Sequence, residues 1–250
     1  MARIAKLMCI MVLICGALAT RGEAAQTVLF DTGHGERFLI GEKGPLQLSG
    51  FAEICQAAGI KVATLTKPVS DDALAGIDGL VISGAFTPFK EEEIDALIRF
   101  MIRGGKVSVM LHIAPPLDSL LTRLGISYTN GVIREQEGII DGQPQDFKVR
   151  RFGSHPVLKG ISDFSLYGVW GLTSMDERSR NVAMTSPRAW IDLHHNKVQT
   201  KDETASFAVL CAGEVGTGGF LVFGDDAIFQ NKFLDAKNKA LAVNLAAWLK

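Results

Sequence analysis

The stretch Asp31-Thr32-Gly33-His34-Gly35-Glu36 puts two carboxylates and an imidazole within six positions, spaced by two glycines and a threonine. Carboxylates and imidazoles exchange protons in the physiological range and supply the oxygen and nitrogen atoms that bind divalent metals. Asp31, His34 and Glu36 could therefore serve as a base and its acid partner, as ligand-binding groups, or as metal ligands. Their spacing matches no established metal signature. A turn in which Asp31 and Thr32 bond back to the main chain, with Gly33 and Gly35 at positive φ, accounts for them equally well. No cofactor is predicted; a divalent metal is the one such a trio could hold.

Three more groups of this kind follow apolar runs: Ser83-Gly84 after Gly79–Ser83, His112 after Val107–Leu111, and Asp225-Asp226 after Phe220–Phe223. If those runs are strands of one parallel sheet, all of these groups lie beyond its carboxyl ends, where open α/β sheets bind ligands. The expected binding set is Asp31, His34, Glu36, Ser83, Gly84, His112, Asp225 and Asp226, with Asp31, His34, Glu36 and His112 as the catalytic candidates. Elsewhere, His194-His195 sits in a polar stretch, and His155-Pro156 reads as the start of a turn. The glycines of Gly213–Gly219 read as a hairpin turn, because a strand rather than a helix follows them.

The elements that would position these residues alternate from 27 to 125. Thr27–Phe30 is apolar, and Leu48, Phe51, Ala52 and Cys55 follow at helical spacing, with Gly59 to stop the helix. Ile60–Leu65 reads as a strand, and Ser70, Asp71 and Asp72 could cap a short helix. Gly79–Ser83 is apolar throughout, as a strand buried on both faces should be. Ile94, Leu97, Ile98, Met101 and Ile102 form a stripe behind Glu91–Glu93, and Gly104-Gly105 ends it. Val107–Leu111 is a fourth strand, and Leu117, Leu120, Leu121 and Leu124 a third helical stripe. This alternation predicts an α/β fold, a three-layer sandwich around a mostly parallel sheet. From 126 to 205 the periodicity fades; Phe147–Arg151, Phe164–Leu172, Val182–Thr185 and Ala189–Leu193 are candidate short strands of an irregular insertion or mixed sheet extension. A hairpin, Ser206–Cys211 with Phe220–Phe223, and a last helix carrying Leu241, Leu245, Trp248 and Leu249 complete the chain.

Residues 1–24 have the layout of a secretory leader: Arg3 and Lys6, a 13-residue apolar run from Leu7 to Ala19, then Gly22 and Ala24 for cleavage after Ala24. The run is too short to span a bilayer, which takes roughly 20 helical residues. Export to the periplasm or outside the cell is the expectation, with residues 25–250 as one domain lacking a stable membrane span. Cleavage would remove three cations, Arg3, Lys6 and Arg21, and one anion, Glu23, moving the formal charge from -1 to -3. That balance gives no reason to expect a nucleic-acid partner. Cys55 and Cys211 would remain, and both fall in apolar surroundings, so two buried free thiols are expected rather than a disulfide.

The segment Gly79–Ile126, the motif His155–Ile161 (HPVLKGI) and the ending Gly224–Asn231 (GDDAIFQN) resemble the class I glutamine amidotransferase-like superfamily, near its cell-envelope branches and the trehalose-utilisation-like proteins. The resemblance implies a flavodoxin-like sheet. In amidotransferases a cysteine nucleophile stands on the turn after the fourth strand; here Ala114 falls at that position, flanked by His112 and Pro116 where glycines belong. The histidine and glutamate that complete the triad have no counterpart in Gly224-Asp225-Asp226-Ala227. A methyl group cannot attack a carboxamide, so glutaminase activity is not expected. The resulting expectation is a non-catalytic module recognising a small polar ligand, a glycan or an envelope protein. The alternative is a carboxylate- and histidine-dependent hydrolase, with or without a metal, acting on a glycan or another small polar substrate.

Overall fold

The apolar and amphipathic runs of the first half become strands and helices in the computed structural model, which describes residues 26–250. The leader read at residues 1–24 lies outside the described residues. In chain order the elements are β1 (Thr27–Asp31), α1 (Ser49–Ala57), β2 (Lys61–Leu65), β3 (Gly79–Ser83), α2 (Glu91–Ile102), β4 (Lys106–Met110) and α3 (Asp118–Arg123). Then come β5 (Ile126–Arg134), β6 (Ile139–Ile140), β7 (Gln143–Val149), β8 (Arg151–Phe152), β9 (Phe164–Tyr167), β10 (Trp170–Ser174), β11 (Arg180–Met184) and β12 (Trp190–Ile191). The hairpin β13 (Ala208–Val215) and β14 (Gly218–Phe223) and the helix α4 (Ala236–Trp248) follow.

Strands β2, β1, β3, β4 and β14 lie side by side and parallel. That is the flavodoxin-like strand order. β14 turns back on β13, and the sheet continues antiparallel through β10, β5 and β12, with β11 and β8 branching from β13. A second sheet of β6, β7 and β9 packs beside it. The pleat explains the three layers, since successive side chains of a strand point to opposite faces. Val28, Phe30 and Val81 join a core with Phe51 of α1 and Leu241 and Leu245 of α4. Leu29, Leu80 and Ile82 join the other core, with Leu97 and Met101 of α2 and Leu120 and Leu121 of α3. Cys55 belongs to the first core and Cys211 to the second, so the sheet separates them; both are buried and free, with burial pushing each thiol up to about 12.

Several expectations are corrected. Residues 71–76 form turns rather than a helix, although Ser70 Oγ still accepts from Ala73 N–H at 3.2 Å. Gly76, at φ +71°, turns the chain before a helix can propagate. In α2 Phe100 takes the buried place assigned to Ile102, whose side chain is exposed. The run Phe164–Leu172 is two strands in different sheets, broken by Gly168 at φ +78°. β5 gave no signal because most of its residues are half-buried, leaving no alternation to read. The span 126–205 thus contributes β5, β8, β10, β11 and β12 to the main sheet as well as the smaller sheet. Among the described residues, no helix is long and apolar enough to cross a membrane.

Candidate ligand site at the carboxyl ends of the parallel strands

Register aligns Ser83 of β3 with Met110 of β4, and Met110 with Phe223 of β14, while β1 pairs with β3 on the other side. The loops that follow these strands must therefore meet. Phe86 and Thr87 N–H both donate to His34 carbonyl oxygen at 2.9 Å, tying the loop after β1 to the loop after β3. The proposed residues nevertheless divide into two groups with different surroundings.

The first group is sealed. Asp31, His34 and Glu36 are all buried. His34 Nδ1 lies 2.6 Å from Asp31 Oδ2, and its Nε2 lies 3.2 Å from Glu93 Oε1. Its ring stacks on Phe89 with centroids 3.6 Å apart. Burial alone would lower the histidine's pKa, but the hydrogen bond and charge of Asp31, and then those of Glu93, outweigh it and hold the pKa above the usual value. Glu36 Oε2 accepts from His34 N–H at 2.8 Å. Burial first, and the adjacent Asp31 charge second, push the Glu36 carboxyl up to about 7. Ligand-type atoms of Asp31, His34 and Glu36 lie within 4.8 Å of one another. Metal binding needs a free imidazole lone pair, however, and both ring nitrogens face carboxylates. The trio fits a hydrogen-bonded brace around His34 better than a metal cage.

The second group reaches the surface. His112 Nδ1 lies 3.2 Å from Asp226 Oδ1; the histidine side chain is 41% exposed and the aspartate 3%. The Asp226 hydrogen bond raises the imidazole pKa, against the opposing effects of partial burial and the nearby Arg37 charge. Trp170 Nε1 donates to the His112 carbonyl at 3.1 Å, fixing the backbone of this loop. Phe38 and Phe86 flank the imidazole, with centroids 5.1 and 5.3 Å away, and the Arg37 guanidinium covers Phe86 at 4.6 Å. Asp226 Oδ2 and Ser83 Oγ are buried without a hydrogen-bond partner among the described residues. Unpaired buried polar atoms are uncommon and call for an explanation.

Gly84 sits where these loops come closest, at φ +68°, and a Cβ there would lie 2.7 Å from Asp226 Oδ2 and 3.2 Å from the Phe38 ring. Gly84→Ala is expected to destabilise the protein by about 1–3 kcal/mol, from backbone strain and the displaced aspartate, as read by urea denaturation.

Asp225 has a different place from the one expected. It is buried beneath the rim, accepting from Tyr167 N–H at 2.7 Å and Ala227 N–H at 2.8 Å, so it pins the β9–β10 turn rather than lining a ligand surface. Its carboxyl is raised well above the usual range, by burial first and the Asp226 charge second. Ala114 is buried in ordinary helical geometry, φ -80° and ψ -37°, without the strain of a nucleophile turn. Sequence reasoning missed Glu93, which looked like a helix-dipole acid. Besides bonding His34, its Oε2 accepts from Lys90 N–H at 3.0 Å and its Oε1 from Val69 N–H at 2.9 Å. Arg37, Phe38, Phe86, Phe89 and Trp170 were missed too. The stretch Arg37-Phe38 directly beside Glu36 was the available signal for two of them.

A mostly parallel sheet of flavodoxin-like order, flanked by helices and extended by antiparallel strands, defines the chain as an α/β protein. The sequence matches the family described as "Domain of unknown function (DUF4350)" over residues 41–246, and the chain belongs to that family. The fold is shared with the mmIFT52 N-terminal domain, at 17% identity and TM-score 0.69, covering 89% of this chain and 96% of that one. It is also similar to a ThuA-like protein from Bacteroides uniformis, at 15% identity and TM-score 0.53, covering 94% and 95%. A cytoplasmic protein from Salmonella typhimurium LT2 matches at 15% identity and TM-score 0.58, covering 90% and 100%. No curated protein matches the chain in sequence.

Proposed function

We propose that this is an exported, non-catalytic binding module on a degenerate amidotransferase-like scaffold, and that it holds a small saccharide-like polar ligand against the aromatic rim and His112, which Asp226 orients. The observation that carries the reading is the His112–Asp226 pair, whose outer nitrogen carries no hydrogen bond among the described residues, next to Ala114 where a nucleophile would stand. An imidazole oriented by a buried carboxylate, with its outer nitrogen turned outward, can grip a hydroxyl group. Phe38, half-buried beside the imidazole, offers a ring against which the C–H surface of a sugar packs. Neither Cys55 nor Cys211 can serve as a nucleophile from inside the cores, which supports the absence of glutaminase chemistry.

The pair also supports a second reading, since an imidazole oriented by a carboxylate can act as general base toward water. One experiment separates the two. Mono- and disaccharides are titrated into the protein while melting temperature and released reducing sugar are both followed. A binding module gains about 2–3 kcal/mol of stability at ligand concentrations near a hundred times Kd, with no sugar release. His112→Ala and Asp226→Asn should abolish the gain and leave the unliganded melting temperature within a few degrees. Turnover lost in both variants would establish the hydrolase reading instead.

A further inference from the structure

Two motifs without a role at the carboxyl edge meet at the opposite one. His155-Pro156 and the glycine-rich hairpin of β13 and β14 line a cavity of about 350 Å³ together with Lys106, Arg180 and Trp248. Lys106 is the first residue of β4 and Gly218 the first of β14, so this cavity lies at the amino ends of the parallel strands. The glycines answer to packing: a Cβ on Gly218 would lie 2.2 Å from Gly105 carbonyl oxygen, and one on Gly216 would lie 2.5 Å from Ile102 backbone. They seat the hairpin against the end of α2. The chemistry of the cavity resides in the other side chains.

His155 Nδ1 accepts from Val157 N–H at 3.2 Å. That bond places the proton of the neutral ring on Nε2, making it a donor. Burial first, and the charges of Arg180 and Lys106 second, push its pKa down to about 4, so the ring is neutral at physiological pH. Arg180 Nη1 donates to Ser154 carbonyl oxygen at 2.8 Å, which anchors the guanidinium. The ion pairs of the described surface are made by other residues, among them Arg99, Arg123 and Arg178, and neither Lys106 nor Arg180 belongs to one. Glu214 is the one carboxylate in the lining. Lys106 Nζ stands 5.5 Å from the Trp248 ring centroid, and the His155 ring centroid 6.0 Å from it.

From this geometry we propose a second site, at the amino ends of the strands, for a small molecule carrying both an oxyanion and a flat ring. Lys106, Arg180 and His155 Nε2–H would hold the oxyanion, and Trp248 would contact the ring. Two cations against one carboxylate leave a net positive lining, and the volume falls within the range of small-molecule pockets, roughly 300–1,000 Å³. The site stands apart from the His112–Asp226 edge and does not depend on its reading.

The test uses inorganic phosphate, phenyl phosphate and benzoate as probes, titrated into the full chain by calorimetry with the Trp248 indole N–H followed by NMR. Phenyl phosphate should bind, at least ten-fold tighter than inorganic phosphate, and shift the Trp248 resonance. Lys106→Met and Arg180→Gln should each weaken it at least ten-fold without changing the melting temperature by more than a few degrees, and His112→Ala should leave it unchanged. Benzoate binding with the same dependence would identify a carboxylate ligand and support the site equally. Failure of all three probes at 10 mM, or binding that survives the Lys106→Met/Arg180→Gln double variant, would overturn it.

Discussion

His34→Leu is expected to cost about 3–5 kcal/mol of folding stability, a large fraction of the roughly 5–15 kcal/mol that keeps a typical domain folded. The physical reason is the set of carboxylates around the ring. Asp31 and Glu93 both direct an oxygen at the imidazole, and Glu36 stands beside Asp31. Removing the one cation leaves acidic groups buried together, with only protonation to relieve them. Leucine fills most of the space against Phe89, so a lost cavity contact is not the main effect. Urea denaturation at pH 7 measures this directly. His34→Gln, which keeps donors but no charge, should fall between the two. A loss below about 1 kcal/mol for leucine would show that the ring is not an ionic brace.

Substituting Glu36 by Gln should change how stability depends on pH. A carboxyl whose folded pKa is raised to about 7 holds its proton in the native state at pH values where the unfolded chain has lost it. Its stabilising contribution is fully present below the unfolded value, near 4.5, and disappears as pH rises through 7. Each pKa unit corresponds to about 1.4 kcal/mol, so the difference between Glu36→Gln and wild type should move in favour of the glutamine by on the order of 3 kcal/mol between pH 4.5 and 8. His34, also raised, acts with the same sign. His155, lowered to about 4, acts oppositely, adding stability as pH rises toward 6.5. The variant-minus-wild-type difference removes the contribution of the distant His155, and that of His34 to the extent that Asp31 and Glu93 alone set its shift. Denaturant unfolding at pH 5 and pH 8 reads it, and a difference that stays constant would show that Glu36 is ionised throughout.

These two expectations rest on residues that the sequence displayed but did not arrange. The alternation of apolar strands and amphipathic helices from 27 to 125 specified the parallel sheet, because the hydrophobic pattern of each element is a local property of the chain. The same pattern put Asp31, Ser83, His112 and Asp226 at strand ends, and strand order then brought them to one edge. From 126 to 205 legibility fell, since antiparallel strands covered unevenly on both faces carry no period of two. β5 is the plain case.

By itself, then, the sequence determined the layers, the parallel strand succession, the buried thiols and the edge on which polar groups gather, all of which follow from local periodicity and the rules of strand crossover. Only the tertiary structure decided which of those groups meet water. Asp31 and Glu93 both close onto His34, with 59 positions separating His34 from Glu93, while buried Asp226 pairs with His112 across 114 positions and leaves the imidazole accessible. Such partnerships depend on which loops approach in space and how burial shifts their protons, and no run of neighbouring residues carries that information.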